Sequence, residues 1–394
     1  MSSRTRWLLP AGIEEVLPEN AAILESYRRK SLDLFASWGY QLVIPPFIEF
    51  LDSLLVGECE DLNIQTFKLT DQLSGRTMGV RADMTPQVAR IDAHMLKSEA
   101  PTRLCYCGTV LHTRPETAGG TRSPLQIGAE LYGHAGISSD VEIISLMTTT
   151  LQASGVNEIL LDLGHTGIFE ALIKAANVSP EVETELFSML QRKSTPEIET
   201  LLASVDCSGE FKMALLDLVN LHGHSEVLTR AREQLKVGGK ELLQCIDYLE
   251  NLSATLSTCI NNTKFHYDLA ESSGYHYQQG VEFSAFCATS GDQLARGGRY
   301  DNIGESFGRA RPAIGFSADL RRLIIASNHQ TNTPAGAIFA PQVNDSSLAI
   351  SIAELRAQGE VVIKGLSDNG NEAGLVNCTR SLQKENNKWV IKDI

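Results

Sequence analysis

Arg103-Leu104-Cys105-Tyr106-Cys107-Gly108-Thr109-Val110 is followed, after a stretch bearing glycine and proline, by Leu125-Gln126-Ile127-Gly128-Ala129-Glu130-Leu131-Tyr132. Both runs are rich in residues that suit a pleated, half-buried surface, and both end in turn formers. Thr66 to Leu69 and Thr77 to Val80 precede them in the same style, and most of the four are joined without an intervening helix. Parallel strands need long crossovers, usually helical. This order therefore predicts an α+β fold, an antiparallel sheet flanked by helices, over a doubly wound parallel sheet. Successive side chains of a strand face opposite ways, so Gln126, Gly128 and Glu130 share one face and both polar side chains point into one cavity.

The segments on either side extend the pattern. Ala21 to Trp38 carries Ile23, Leu24, Tyr27, Leu34, Phe35 and Trp38 at helical spacing, and Gly39 ends the helix. Tyr40 to Pro45 then reads as a strand, stopped by two prolines, at a sheet edge or subunit boundary. Asp140 to Gly155 reads as a helix and Glu158 to Leu163 as the strand after it. From Gly167 to about Asn262 the period is helical, with Ser179-Pro180 and Thr195-Pro196 as N-cap and first-turn proline pairs, which predicts a helical insertion. Strands resume at Lys264 to Leu269 and Val281 to Cys287, and Arg309 to Ala326 closes the domain with a strand-to-helix unit. A polar linker, Ser327 to Pro334, leads to Gly336 to Ala340, Ser347 to Ala357 and Val361 to Lys364, read as strand, helix, strand. The expected domains are a core over residues 1–325, with the insertion at about 167–262, and a small C-terminal α/β domain over 335–394.

The 394 residues carry 34 Lys+Arg against 48 Asp+Glu, a net charge of −14. Nucleic-acid binding rests on neutralising phosphates, so this balance disfavours a large tRNA footprint. The start, MSSRTRWLLP, lacks the apolar run of a secretory signal, and no later apolar stretch is long enough to span a bilayer, which predicts a cytoplasmic protein. The eight cysteines, at 59, 105, 107, 207, 245, 259, 287 and 378, form no CxxC pair. No metal and no cofactor are expected; Cys105 and Cys107 fit a strand, and His222 and His224 read as surface residues.

Four segments, in order across nearly all of residues 1–325, resemble the histidyl-tRNA synthetase branch of the class II synthetases. Val80-Arg81-Ala82-Asp83-Met84-Thr85-Pro86 is similar to that family's amino-acid-binding turn. Leu125 to Glu130 looks like the end of motif 2. Tyr275-His276-Tyr277 with Gly297-Gly298-Arg299-Tyr300-Asp301 resembles the histidine-specific signatures, and Ala313-Ile314-Gly315-Phe316 to Arg322 resembles motif 3. The resemblance implies that Asp83, Thr85 and Gln126 take an ammonium group, although the family's acidic residue is one methylene longer than Asp83. It also implies that Glu130, with Tyr277 or Tyr300 and beside Tyr275, holds an imidazole ring. Taken alone, those tyrosines also suit a core whose hydroxyls reach the surface, and Gly297-Gly298 suits a tight turn or close packing.

The departures bear on nucleotide binding. Where motif 2 has aromatic-Arg-x-Glu, this chain has Leu111-His112-Thr113-Arg114, and a histidine cannot supply arginine's planar five-donor fork. Where motif 3 has a glycine and then Glu-Arg, it has Asp319, Arg321 and Arg322; only Arg322 survives. The arginine expected before the tyrosine signature falls at Glu271 or Ser272. This degenerate ATP site, comprising His112, Arg114, Asp319, Arg321 and Arg322, beside a retained amino-acid pocket, resembles the regulatory subunits of short-form, hetero-oligomeric ATP phosphoribosyltransferase. That likeness implies no catalytic residues, a separate short-form catalytic subunit as partner, histidine as allosteric ligand and feedback inhibitor, and a homodimer through Ala21 to Pro46 within a hetero-oligomer. An active histidyl-tRNA synthetase-like ligase and a tRNA-sensing paralogue are the alternatives.

Overall fold

Pro18 opens the first helix, α1 (Pro18–Ser37), at a position where its missing N–H costs no hydrogen bond, and Gly39, at φ +84°, turns the chain out of it. Tyr27, Ser31 and Phe35, four residues apart, form its buried face. The computed structural model describes residues 7–55, 60–117, 120–270, 279–327, 336–366 and 378–394. The chain divides into two compact units, Met1–His329 and Gln330–Ile394.

In the first unit, β1 (Gln41–Leu42), β2 (Ile48–Phe50), α2 (Leu51–Leu54), α3 (Glu60–Gln65), β3 (Phe67–Thr70), β4 (Thr77–Val80) and α4 (Thr85–Arg90) come first. They are followed by β5 (Thr102–Thr109), β6 (Leu125–Tyr132), α5 (Ile137–Ala153) and β7 (Ile159–His165). The next stretch is helical: α6 (Thr166–Ala176), α7 (Pro180–Gln191), α8 (Thr195–Ser204), α9 (Gly209–Leu218), α10 (Glu226–Gln234) and α11 (Gly239–Cys259), broken only by the short β8 (His222–Gly223) and a 3₁₀ turn. Then come β9 (Thr263–Asp268), β10 (Val281–Cys287), β11 (Gln293–Arg299), β12 (Ala313–Asp319) and α12 (Leu320–Ala326).

Nine strands form one sheet in the order β1-β5-β6-β12-β11-β10-β7-β9-β8. The α+β expectation holds, and most pairs are antiparallel; β1 with β5 and β7 with β9 are parallel. Alternation along β6 sorts its faces. Ile127, Ala129 and Leu131 pack into the main core with Phe35, Ile143 and Met147, whereas Tyr132 packs on the opposite face with Met84, Val88, Tyr106 and Tyr300. That second face carries the cavity described below.

Two expectations need correction. The runs at Thr66 and Thr77 do not join the main sheet: β3 and β4 pair as a hairpin and take β2 as third strand, forming a separate sheet in the order β2-β4-β3. Asp71 accepts from the backbone N–H groups of Leu73 and Ser74, closing a turn that commits the two strands to each other. The strand expected at Tyr40 to Pro45 shrinks to Gln41–Leu42, since the two prolines cannot donate to a ladder. Of the two readings of Gly297 and Gly298, close packing holds: they sit in β11, where a Cβ on Gly297 would lie 2.2 Å from the Gly315 carbonyl oxygen.

The second unit pairs β13 (Ile338–Ala340), β14 (Val362–Lys364), β15 (Arg380–Glu385) and β16 (Lys388–Asp393) in the order β14-β13-β15-β16, with α13 (Ser346–Ala357) alongside. Its core is Ile338, Ala340, Leu348, Ile352, Val362 and Leu382. The sequence reading had only the first strand, helix and strand. The final hairpin, whose turn places Asn386 and Asn387 at φ +47° and +64°, went unread. No described helix is long and apolar enough to cross a membrane.

Candidate functional site

The ladder register builds the floor of the site. On β6, Glu130 lies between Leu104 of β5 and Gly315 of β12, Gly128 between Tyr106 and Ser317, and Gln126 between Gly108 and Asp319. Gly298 and Arg296 of β11 continue the rows beyond Gly315 and Ser317. Directly paired residues share a face, so these side chains line one surface. Glycine is required at two places in it: a Cβ at Gly315 would lie 1.4 Å from Glu130 Oε2, and one at Gly128 would lie 2.4 Å from the Tyr106 hydroxyl. The space so preserved is a cavity of about 310 Å³, room for a small metabolite.

Glu130 lies at the buried end. Its Oε1 accepts from the Tyr106 hydroxyl at 2.9 Å and the Thr85 hydroxyl at 3.2 Å, and its Oε2 accepts from the Tyr300 hydroxyl. Glu130 is 1% exposed, and burial pushes its carboxyl up to about 8 despite those hydroxyl donors. A carboxyl so placed is largely protonated at neutral pH until a cation enters.

The turn before α4 supplies the next groups. Asp83 Oδ1 accepts from the Thr85 backbone N–H at 3.1 Å, the Thr85 hydroxyl at 3.2 Å and Gln126 Nε2 at 2.7 Å. Gln126 Oε1 accepts from the Met84 backbone N–H at 3.0 Å, which fixes its amide orientation. The structure thus brings Asp83, Thr85, Gln126, Glu130 and Tyr300 together around one cavity. Tyr275 and Tyr277, and with them Glu271 and Ser272, lie outside the described residues.

The far end differs in character. His112 is buried, and its Nε2 donates to the Ala82 carbonyl at 2.9 Å, while its buried Nδ1 has no hydrogen-bond partner among the described residues. Asp319 accepts from the backbone N–H groups of Arg321 at 3.0 Å and Leu125 at 3.1 Å, so it caps α12 and fastens it to β6. Burial raises its carboxyl above the ordinary range, and its Oδ2 has no hydrogen-bond partner among the described residues. Arg322 lines the cavity, whereas Arg114, which is exposed, and Arg321 stand outside its walls.

Sequence reading missed three residues that shape the cavity. Tyr106 sits in a run that looks merely apolar; only its register opposite Gly128 aims it at Glu130. Glu116 lies in the loop between β5 and β6, where no periodicity marks it, and its carboxylate meets Arg296 at 3.3 Å and Arg322 at 3.2 Å. Arg296 precedes the glycine pair by one residue and lay within reach of a register argument. Arg299, part of the same signature, is instead structural: it is buried against Asp140 and Ser139 and ties β11 to the start of α5. His222 and His224 are exposed; the His222 ring lies tilted and the His224 ring edge-on to that of His266, which pairs with Asp162.

Comparison with known proteins agrees with the geometry. Residues 12–323 match the family described as Histidyl-tRNA synthetase, and residues 335–392 match the ATP phosphoribosyltransferase subunit HisZ C-terminal domain. The chain is 50% identical over 395 residues to the ATP phosphoribosyltransferase regulatory subunit of Thioalkalivibrio sulfidiphilus, covering 100% of both chains. It is 49% identical over 388 residues to that of Methylococcus capsulatus, covering 98% of this chain and 96% of the relative. A crystal structure from Bacillus halodurans C, described as an ATP phosphoribosyltransferase regulatory subunit/histidyl-tRNA synthetase, superposes with a TM-score of 0.81 at 26% identity, covering 94% of this chain and 96% of that one. The histidyl-tRNA synthetase of Nostoc sp. PCC 7120 shares the fold, with a TM-score of 0.78 at 17% identity over 98% and 97% of the two chains. The chain belongs to the family of ATP phosphoribosyltransferase regulatory subunits, whose larger part is built on the histidyl-tRNA synthetase fold.

Proposed function

We propose that this chain is the non-catalytic regulatory subunit of a hetero-oligomeric ATP phosphoribosyltransferase. It activates a short-form catalytic subunit, which joins a phosphoribosyl group to ATP in the first step of histidine biosynthesis, and it imposes feedback inhibition when free histidine fills the cavity over β6. The observation that carries this reading is the asymmetry of the cavity. One end gathers acceptors and hydroxyls around Asp83, Thr85, Gln126, Glu130 and Tyr300; at the other, His112 is spent on the Ala82 carbonyl and Arg322 on Glu116.

In this reading Asp83, Thr85 and Gln126 receive the ammonium group of histidine. Glu130 and Tyr300 meet the imidazole, and Tyr275 and Tyr277 join that set on the strength of the family likeness. Glu130 suits the ring because it can donate to a neutral imidazole nitrogen or, once ionised, accept from an imidazolium. The degenerate ATP site of His112, Arg114, Asp319, Arg321 and Arg322 leaves the chain without aminoacylation activity. The protein works in the cytoplasm without metal or cofactor and does not engage tRNA, given its net charge of −14. It pairs with a second copy through α1 and β1, where Leu42, Ile44 and Phe47 are exposed beside an unpaired strand edge, within the larger assembly.

Calorimetry tests the ligand assignment. Histidine should bind, to the chain alone or to its complex with the catalytic subunit, and ATP alone should give no binding heat. Absence of histidine binding in both settings overturns the reading. Histidine-dependent exchange of pyrophosphate into ATP would establish the ligase alternative instead.

A further inference from the structure

Glu116 reaches from the loop between β5 and β6 to two arginines on different elements. Its Oε1 lies 3.3 Å from Arg296 Nη2, on β11, and its Oε2 lies 3.2 Å from Arg322 Nη2, on α12. All three residues line the cavity. Two guanidinium groups converging on the two oxygens of one anion is an arrangement suited to phosphate. Here the anion is supplied by the chain itself, from the loop that covers this end. The three side chains keep partial exposure, at 30% for Glu116, 56% for Arg296 and 32% for Arg322, so the ion pairs can open to solvent and exchange partners.

We propose that Glu116 sets the class of ligand this cavity accepts: its carboxylate occupies an anion position between Arg296 and Arg322, so that the cavity takes a small zwitterion and rejects phosphorylated ligands. The inference deepens the histidine reading above and rests on it for the identity of the zwitterion. Rejection arises twice over, because an incoming phosphate must displace a tethered carboxylate and must also approach its negative charge. Both effects vanish when the carboxylate becomes an amide of the same shape, and a latent phosphate site then opens. The other nearby carboxylate, Asp319, is engaged by backbone donors and held above the ordinary carboxylate range by burial, so it does not restore the exclusion.

The test uses the full chain and inorganic pyrophosphate as probe, titrated calorimetrically at low ionic strength into wild type, Glu116→Gln and the double variant Glu116→Gln/Arg322→Gln, with histidine titrated in parallel. Glu116→Gln should bind pyrophosphate about ten-fold or more tightly than wild type, a gain that shrinks as salt is raised. The double variant should lose that gain. Histidine affinity should stay within about two-fold across all three, since none of the contacts assigned to it is made by Glu116 or Arg322, and it also reports that each variant is folded. Equal pyrophosphate binding by wild type and Glu116→Gln, or a gain that survives loss of Arg322, overturns the proposal. If histidine binds none of the three, either alone or with the catalytic subunit added, while melting temperatures are unchanged, the histidine reading fails, and the pyrophosphate comparison still decides the role of Glu116.

Discussion

Glu130 shows how a single buried carboxyl links stability to ligand binding. Its pKa of about 8 stands above the ordinary 4.5 because burial disfavours its charge. Below the ordinary value both folded and unfolded chains hold the proton; between the two values only the folded chain does. Its contribution to stability is therefore fully present at acid pH and is lost as pH rises through about 8. Denaturant midpoints of the ligand-free wild type should fall relative to those of Glu130→Gln across that window, and histidine affinity in the variant should drop by about ten- to a hundred-fold, the worth of a hydrogen bond to a charged group. Matching pH profiles for the two proteins would remove the buried titration from the account. Much of this neighbourhood was legible in the sequence. The alternation of Gln126, Gly128 and Glu130 placed two polar groups in one cavity, and Asp83 and Thr85 came with the turn before α4. Tyr106 was not legible, because cross-strand register cannot be read from one strand alone. Asp319 was read only as part of a degenerate ATP site, whereas its Oδ1 caps α12 and fastens it to β6.

At the scale of the strands, space over the floor depends on residues that have no side chain. Gly315 faces Glu130 so closely that Gly315→Ala should displace the carboxylate, costing about 1–3 kcal/mol as an overpacked site and abolishing histidine binding. Thermal melting and calorimetry on that variant check both halves; undiminished histidine binding would show that the floor is not where the ligand rests. Gly297 and Gly298 were read as serving either a tight turn or close packing, and the close approach of β12 selects the second, a choice set by tertiary packing rather than by local propensity. The hairpin of β3 and β4 was found, but its assignment to the main sheet was wrong because strand-forming character does not say which strands pair. Runs with clear period, such as β6 and β10, were placed to the residue.

The described residues form a synthetase-like unit, with a main sheet of nine strands, a second sheet of three and a helical stretch, Thr166 to Cys259, and a separate small unit. The helical stretch was visible from its apolar period and from the cap at Ser179, whereas Thr195, read as an N-cap, is the first residue of α8 and the cap position falls to Ser194. The final hairpin was not, since Arg380 to Asp393 is largely polar and only its side facing α13 is apolar. If such a chain regulates a separate catalyst, histidine can act only by binding the active and inactive arrangements with different affinity, and ligands of the catalytic subunit must then change histidine affinity by the same factor. The most direct test mixes the purified chain with a short-form ATP phosphoribosyltransferase catalytic subunit and follows turnover of ATP and phosphoribosyl pyrophosphate while histidine is titrated. Turnover should rise when the chain is added and fall as histidine saturates the cavity, with Glu130→Gln shifting the inhibition to higher histidine; a mixture whose turnover ignores both the chain and histidine would contradict the account.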